Sequence, residues 1–162
     1  MKIISGGQTG VDRAALDAAL DLGLPCGGYC PLGRKAEDGI IAQKYPLHSL
    51  PSANYRHRTI KNLLEADATL IFFNRQIQGG TRLTAEMCRK NSKLVMTIDA
   101  HSYHYEKAAE LARDFILNNK INCLNVAGPR KSQWPEGYDY VYQVLHTVMT
   151  TLHAEPSVDA GH

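Results

Sequence analysis

The sequence predicts an α/β fold: a single Rossmann-like domain built on an open parallel sheet with helices on both faces. Short apolar segments alternate along the chain with amphipathic segments of helical periodicity. Residues 68–73 form an almost unbroken apolar run, which is typical of a strand covered on both faces. Glycine-rich loops follow predicted strands and lead directly into helices. We expect the domain to cover residues 1–153 and residues 154–162 to form a flexible tail.

The opening segment sets this plan. The strand-like residues 2–4 lead into a loop that contains Gly6, Gly7 and Gly10, and an alanine-rich amphipathic helix follows at once. Glycine permits sharp turns and close approach of a ligand to the backbone. The free N–H groups at the start of the helix favour a bound anion in the mouth of the loop.

The remaining elements follow from apolar runs and from 3.6-residue periodicity. Predicted strands cover 26–30, 68–73, 94–98 and 123–126. Predicted helices cover 55–66, 83–91, 105–118 and 138–152. Ser52 or Asn54 can cap the first of these helices. The connection from Pro31 to Pro51 has no clear periodicity and is longer than compact domains tolerate without a function.

Composition limits the possible functions. The chain has 162 residues, of which 44% are hydrophobic and 21% charged, as expected for one soluble domain. A formal net charge of +2 argues against a nucleic-acid-binding protein. No apolar run approaches the ~20 residues of a membrane span. The four cysteines lack a disulfide-scaffold pattern, and the chain begins directly with a strand, so we expect a cytoplasmic protein with reduced thiols.

The glycine-rich and charged loops should converge. Right-handed crossovers place all strand-to-helix loops at one edge of a parallel sheet, and ligands bind there where the strand order reverses. Each unusual loop follows a predicted strand. These loops are 6–10, 33–38, 79–84 and 128–131. We therefore predict that they surround one crevice.

The first loop is neither a P-loop nor a dinucleotide fingerprint, because Val11 and Asp12 follow Gly10 and no G-x-G-x-x-G is present. Gln8 and Thr9 supply side-chain donors where an oxyanion would lie. Asp12 and Arg13, in the first helical turn, could contact the ligand or each other. Asp12 is equally well explained as a carboxylate that complements the helix dipole.

The second glycine-rich segment offers consecutive backbone donors at Gly79, Gly80 and Thr81, and Thr84 can cap the helix that follows. Arg82 can bind an oxyanion through two hydrogen bonds. Glu86 has two interpretations: it completes a helix cap, or it faces the crevice as an acceptor or general acid/base. If the protein is an enzyme, Glu86 and Arg82 are the predicted catalytic groups.

Cationic side chains cluster in the same predicted region: Arg34, Lys35, Arg56, Arg58, Arg82, Arg130 and Lys131. Singly, each is an ordinary surface charge. Together they predict an anionic ligand such as a phosphorylated nucleotide or pterin. The helix that carries Arg56 and Arg58 could fold over the site as a lid. Cys26 and Cys30 lack a second ligand pair, so no bare metal site is predicted.

Five motifs together resemble the circularly permuted branch of the SLOG superfamily, whose members are named putative molybdenum carriers. They are GGQTGVDRAALDAA, CPLGRKAEDG, YRHRT, GGTRLTAE and LNVAGPR, and they extend from residue 6 to residue 130. GGTRLTAE is also similar to the PGGxGTxxE motif of lysine-decarboxylase-like phosphoribohydrolases. It departs from that motif, because Gln78 replaces the proline and no glycine stands between Gly80 and Thr84. The departure argues against nucleotide hydrolysis.

The resemblance implies a protein that binds molybdenum cofactor or a related phosphorylated pterin or nucleotide between two glycine-rich loops. By motif, the first loop would hold a phosphate or molybdate end, and Gly79, Gly80 and Thr81 would form the opposing side. A phosphoribohydrolase-like enzyme and a nucleotide-sensing module are the alternatives. The predicted ligand-binding residues are Gly6, Gly7, Gln8, Thr9, Gly10, Asp12, Arg13, Arg34, Gly79, Gly80, Thr81, Thr84 and Arg130.

The last helix carries apolar residues that look exposed in the sequence pattern, namely Val144, Val148 and Leu152. Helices of such sheets often pack across a two-fold axis. We therefore expect a homodimer or a larger homo-oligomer.

Overall fold

The computed structural model describes residues 1–154. The strands are β1 (Lys2–Ile4), β2 (Cys26–Gly27), β3 (Tyr29–Cys30), β4 (Lys35–Ala36), β5 (Gly39–Ile40), β6 (His48–Ser49), β7 (Ala68–Phe73), β8 (Leu94–Asp99) and β9 (Cys123–Ala127). The helices are α1 (Val11–Asp21), α2 (Tyr55–Glu65), α3 (Gly79–Lys90), α4 (Tyr105–Asn118) and α5 (Gly137–Ala154). The predicted tail, apart from Ala154 at the end of α5, lies outside the described residues.

The central sheet has five parallel strands in the order β2-β1-β9-β7-β8. The α/β, Rossmann-like prediction is confirmed. From β1 the chain moves outward to β2, whereas from β7 it moves outward to β8 on the opposite side. The strand order therefore reverses between β1 and β7, with β9 inserted between them. The loops after these three strands meet at this switch point.

Helices cover both faces of the sheet. On one face α5 packs against both α1 and α4, and these three helices bury Ile3, Leu70, Phe72 and Leu124 of the sheet. On the other face α2 packs against α3, where Leu63 of α2 is buried with Met87 and Cys88 of α3. This division explains the all-apolar sequence of β7, because its alternate residues face different helical layers.

Two predicted elements are wrong in detail. The predicted strand 26–30 is divided at Gly28, whose φ of +125° turns the chain close to Ser5. β2 stays in the central sheet, whereas β3 pairs with β6 of the long connection. The predicted helix 83–91 begins earlier, at Gly79, so the second glycine segment is the first turn of α3 rather than a loop.

The surface predicted for dimer formation is also wrong. Val144 and Val148 are fully or almost fully buried within the chain's own core, and Leu152 packs against the same core. α5 lies between α1 and α4, so its apolar side is covered by neighbours within the chain. The homo-oligomer stays a prediction, but these apolar residues of α5 no longer support it.

The first and last loops touch at Gly10, which has a φ of +78°. A Cβ at this position would lie 2.7 Å from the carbonyl oxygen of Pro129 and 2.9 Å from the backbone nitrogen of Lys131. We expect Gly10→Ala to lower the free energy of unfolding by about 2–4 kcal/mol, because backbone strain and displaced backbone atoms add together.

Gly23→Ala is the matched control. Gly23 has a φ of +65°, but no atom lies within 4 Å of the point that a Cβ would occupy there. Gly23→Ala should lower the free energy of unfolding by only about 1 kcal/mol, which is the strain of the left-handed region alone. Urea unfolding measures both variants, and equal losses would contradict the close approach of the two loops.

Candidate functional site

A cleft lies at the switch point, above the carboxyl ends of the central strands. Its empty volume is about 540 Å³, part of which is open to solvent. Four segments line it: the first loop, the start of α2, the first turns of α3 and the loop after β9. The charged lining residues are Asp12, Arg56, Arg58 and Arg130.

Asp12 and Arg58 form a buried ion pair in this cleft. Nη1 of Arg58 lies 3.1 Å from Oδ2 of Asp12, and the same oxygen accepts the backbone N–H of Gln8 at 3.3 Å. Burial raises the pKa of Asp12 above its usual value, although Arg58 acts in the opposite direction. The guanidinium lies directly on Gly6, where a Cβ would be 1.8 Å from Nη1. Nε of Arg58 is buried without a partner among residues 1–154.

Gln8 is only 5% exposed and lines the cleft. Its Oε1 accepts the backbone N–H groups of Thr9 at 3.0 Å and Glu37 at 2.9 Å. Because both partners are donors, they fix which end of the amide is oxygen. Nε2 is then left buried, with no partner in the described part of the chain. An unpaired buried donor costs about 1–3 kcal/mol, which a ligand oxygen would recover.

The N-terminus of α3 opens into the same cleft. Gly80 and Thr81 line it, and Thr84 donates its hydroxyl hydrogen to the carbonyl oxygen of Gly80 at 3.0 Å. The first backbone bond of the helix runs from the N–H of Arg82 to the carbonyl oxygen of Gln78. The preceding N–H groups have no partner within the helix, and the helix dipole favours an anion there.

Tyr55, which the sequence analysis did not select, connects two sides of the cleft. The guanidinium carbon of Arg130 lies 5.7 Å from the centre of its ring, and that of Arg58 lies 5.8 Å away. These are cation–π distances. Tyr55 thus joins the start of α2 to the loop after β9. Its position beside two arginines in the YRHRT segment was the available sequence signal.

Some predicted ligand residues reach the cleft, namely Gln8, Asp12, Gly80, Thr81, Thr84 and Arg130. Others lie beside it and shape the first loop. Gly6 supports Arg58, Gly7 packs against Leu47 and Ile41, and Gly10 meets the last loop. Gly79 starts the helix whose next residues line the cleft.

Thr9 binds Glu37 and does not line the cleft, and four charged residues among the predicted site residues also lie outside it. Arg13 binds Asp38 and the carbonyl oxygen of Gly7. Arg34 donates to four backbone carbonyls of the long connection, between Ile41 and Leu47. Arg82 and Glu86 form an exposed pair one helical turn apart, with Nε and Oε1 3.0 Å from each other.

Glu37 is a residue that sequence reasoning missed. Its carboxylate accepts the hydroxyl hydrogen of Thr9, and it also accepts the N–H of Ser132 at 3.1 Å and the Ser132 hydroxyl at 2.6 Å. Oγ1 of Thr9 in turn accepts the N–H of Lys131 at 3.1 Å. Glu37 therefore ties the long connection to both the first and the last loop, and its backbone orients Gln8.

The comparisons with known proteins agree with this architecture. A sequence profile of the circularly permutated YpsA SLOG family matches residues 3–149. The chain belongs to this family. Its structure is also similar to the crystal structure of a protein named putative molybdenum carrier protein from Syntrophus aciditrophicus SB. The two are 40% identical, with a TM-score of 0.89 over 91% of this chain and 94% of that one. A search of curated proteins gives no match.

Two further observations concern the described residues as a whole. Across residues 1–154, no three or more histidine, cysteine, aspartate or glutamate side chains are grouped as a metal site would need. In the same range, no helix combines the length and the apolar character required to cross a bilayer.

The Glu37 contacts predict an acid-sensitive component of stability. Burial alone would raise the pKa of Glu37, but hydrogen bonds from Ser132 and Thr9, with Arg130 nearby, hold it below its usual value. A lowered pKa stabilises the fold above pH 4.5, the ordinary value, and the contribution is lost as the pH falls through the folded value. Glu37→Gln should therefore destabilise the protein at pH 7, and the loss should shrink progressively as the pH falls below 4.5, as measured by urea unfolding. A loss that stays constant over the whole acid range in which the protein is folded would contradict this role.

Proposed function

We propose that this protein binds and carries an anionic small molecule in the cleft, and that the ligand is molybdenum cofactor or a related phosphorylated pterin or nucleotide. One observation carries the proposal: Gln8, whose buried Nε2 has no hydrogen-bond partner among residues 1–154, lines the same cleft as the N-terminus of α3. Both features are hydrogen-bond donors without acceptors. A phosphate or another oxyanion supplies acceptors of the required charge.

The charges of the cleft support an anionic ligand. Three arginines line it against one carboxylate, and that carboxylate is paired with Arg58. Arg56 and Arg130 therefore add positive charge that Asp12 does not neutralise. The dipole of α3 acts in the same direction.

The related protein supports the carrier part of the proposal, because it is named putative molybdenum carrier protein. None of the described residues that line the cleft is a cysteine or a histidine. Such a site suits a ligand that is held by its oxygen atoms better than a bare soft metal. Molybdenum cofactor fits this requirement, since its phosphate would meet the donors of Gln8 and α3.

The enzymatic alternative has less support. Its two candidate groups, Arg82 and Glu86, pair with each other on the exposed side of α3. Release of a free base from a nucleotide, abolished by Glu86→Gln, would be needed to favour it. No observation in the cleft favours it over binding.

Native mass spectrometry of gently purified protein tests the proposal. We expect a bound phosphorylated small molecule, identified after release. Arg130→Gln should weaken its binding by about 10- to 100-fold, the effect of losing a hydrogen bond to a charged group. Arg82→Gln removes the same charge outside the cleft and should bind normally.

Two results would contradict the proposal. One is purified protein that carries no ligand and also fails to bind nucleoside monophosphates or molybdate. The other is an equal loss of binding in the Arg130 and Arg82 variants, because net charge rather than the cleft would then account for affinity.

A further inference from the structure

We infer that Asp12 makes the cleft selective for an oxyanion that carries a proton, such as inorganic phosphate or the singly protonated form of a phosphate monoester. Oxyanions without a proton at neutral pH, such as molybdate and sulfate, are then disfavoured. The inference rests on the proposed function, because it concerns the same cleft. It deepens that function by naming the chemical group that is recognised.

The geometry places an unused acceptor among unused donors. Asp12 is 3% exposed and lines the cleft. Oδ2 accepts both of its hydrogen bonds, from Arg58 and from the N–H of Gln8, whereas Oδ1 accepts none from residues 1–154. The neighbouring unpaired donors are Nε2 of Gln8 and Nε of Arg58. A tetrahedral group with several bare oxygens and one O–H complements both kinds of atom.

A fully deprotonated oxyanion complements only the donors. It would bring its lone pairs and negative charge against Oδ1 in a buried site, where charges are weakly screened. One proton between the two oxygens removes this repulsion and forms a hydrogen bond. Inorganic phosphate carries such a proton at neutral pH, and a monoester carries one below its second pKa of about 6. Molybdate and sulfate carry none, so Asp12 must take the proton from water.

The surrounding charges make Asp12 the group that takes up a proton when an unprotonated oxyanion binds. Arg58 of α2 contacts it, and Arg13 of α1 acts on it through space. Arg56 and Arg130 line the same cleft, and among the described lining residues Asp12 is the single carboxylate. Glu37 is bound to Thr9 and Ser132 and does not line the cleft. Burial already raises the pKa of Asp12, which makes proton uptake easier.

Because binding is linked to proton uptake, the ratio of the dissociation constants for molybdate and phosphate should depend on pH. Above the pKa of Asp12 in the free protein, binding that takes up one proton weakens about tenfold per pH unit. Binding of inorganic phosphate, which brings its own proton, should change little. The ratio of the molybdate Kd to the phosphate Kd should therefore rise with pH, by up to about 100-fold between pH 6 and pH 8.

Isothermal titration calorimetry with sodium phosphate and sodium molybdate tests the inference. In wild-type protein we expect the ratio to rise as stated. Titrations at pH 8 in two buffers of different ionisation enthalpy should show uptake of about one proton with molybdate and almost none with phosphate. Asp12→Asn has the same shape but cannot titrate, so it should make the ratio independent of pH. Asp38→Asn removes a carboxylate that pairs with Arg13 outside the cleft and should behave like wild type.

The titrations of wild-type protein test the role of Asp12 even if a variant folds poorly. A ratio that stays constant between pH 6 and pH 8, with both anions binding, would overturn the role of Asp12 and leave the proposed function standing. A ratio that rises equally in Asp12→Asn would also overturn it. If neither anion binds, the inference fails, and native mass spectrometry decides the proposed function separately.

Discussion

The buried pair of Asp12 and Arg58 is the interaction on which the cleft depends. Asp12 belongs to α1 and Arg58 to α2, and these helices cover opposite faces of the sheet. Their contact therefore crosses the carboxyl edge of the strands, directly over Gly6. A side chain at Gly6 would occupy the position of the guanidinium. The glycine of the first loop therefore leaves room for Arg58, which is distant in the sequence. Removing either charge would leave the other buried without its partner, which is costly.

A second constraint fixes the remaining walls. Because the strand order reverses between β1 and β7, the loops after β1, β9 and β7 must lie side by side. Gly10 lets the first loop touch Pro129, and Glu37 binds both loops from the long connection. That connection thus has a structural task, because the backbone N–H of Glu37 holds the amide oxygen of Gln8. Packing, topology and side-chain orientation all lead to one group of unpaired donors.

Much of this could be predicted from local sequence. β7 was predicted with its observed bounds because apolar runs report burial directly, and Asn54 does cap α2 through its side chain. Residues whose partners are distant could not be assigned. Arg34 resembles a ligand-binding arginine until the irregular segment 41–47 folds around it. Val144 looked exposed because periodicity shows that a helix has an apolar side, but not which neighbours cover it. Gln8 and Asp12 could be named, but their unpaired atoms follow only from three-dimensional contacts.

The position of a bound oxyanion would show directly whether the cleft is an anion-binding site. A crystal grown at pH 6, soaked in sodium molybdate and measured at the molybdenum absorption edge would locate it directly by anomalous scattering. We expect a peak in the cleft, close to Gln8 and facing the first turn of α3. A peak confined to exposed arginines such as Arg82, with none in the cleft, would contradict binding of the oxyanion in the cleft.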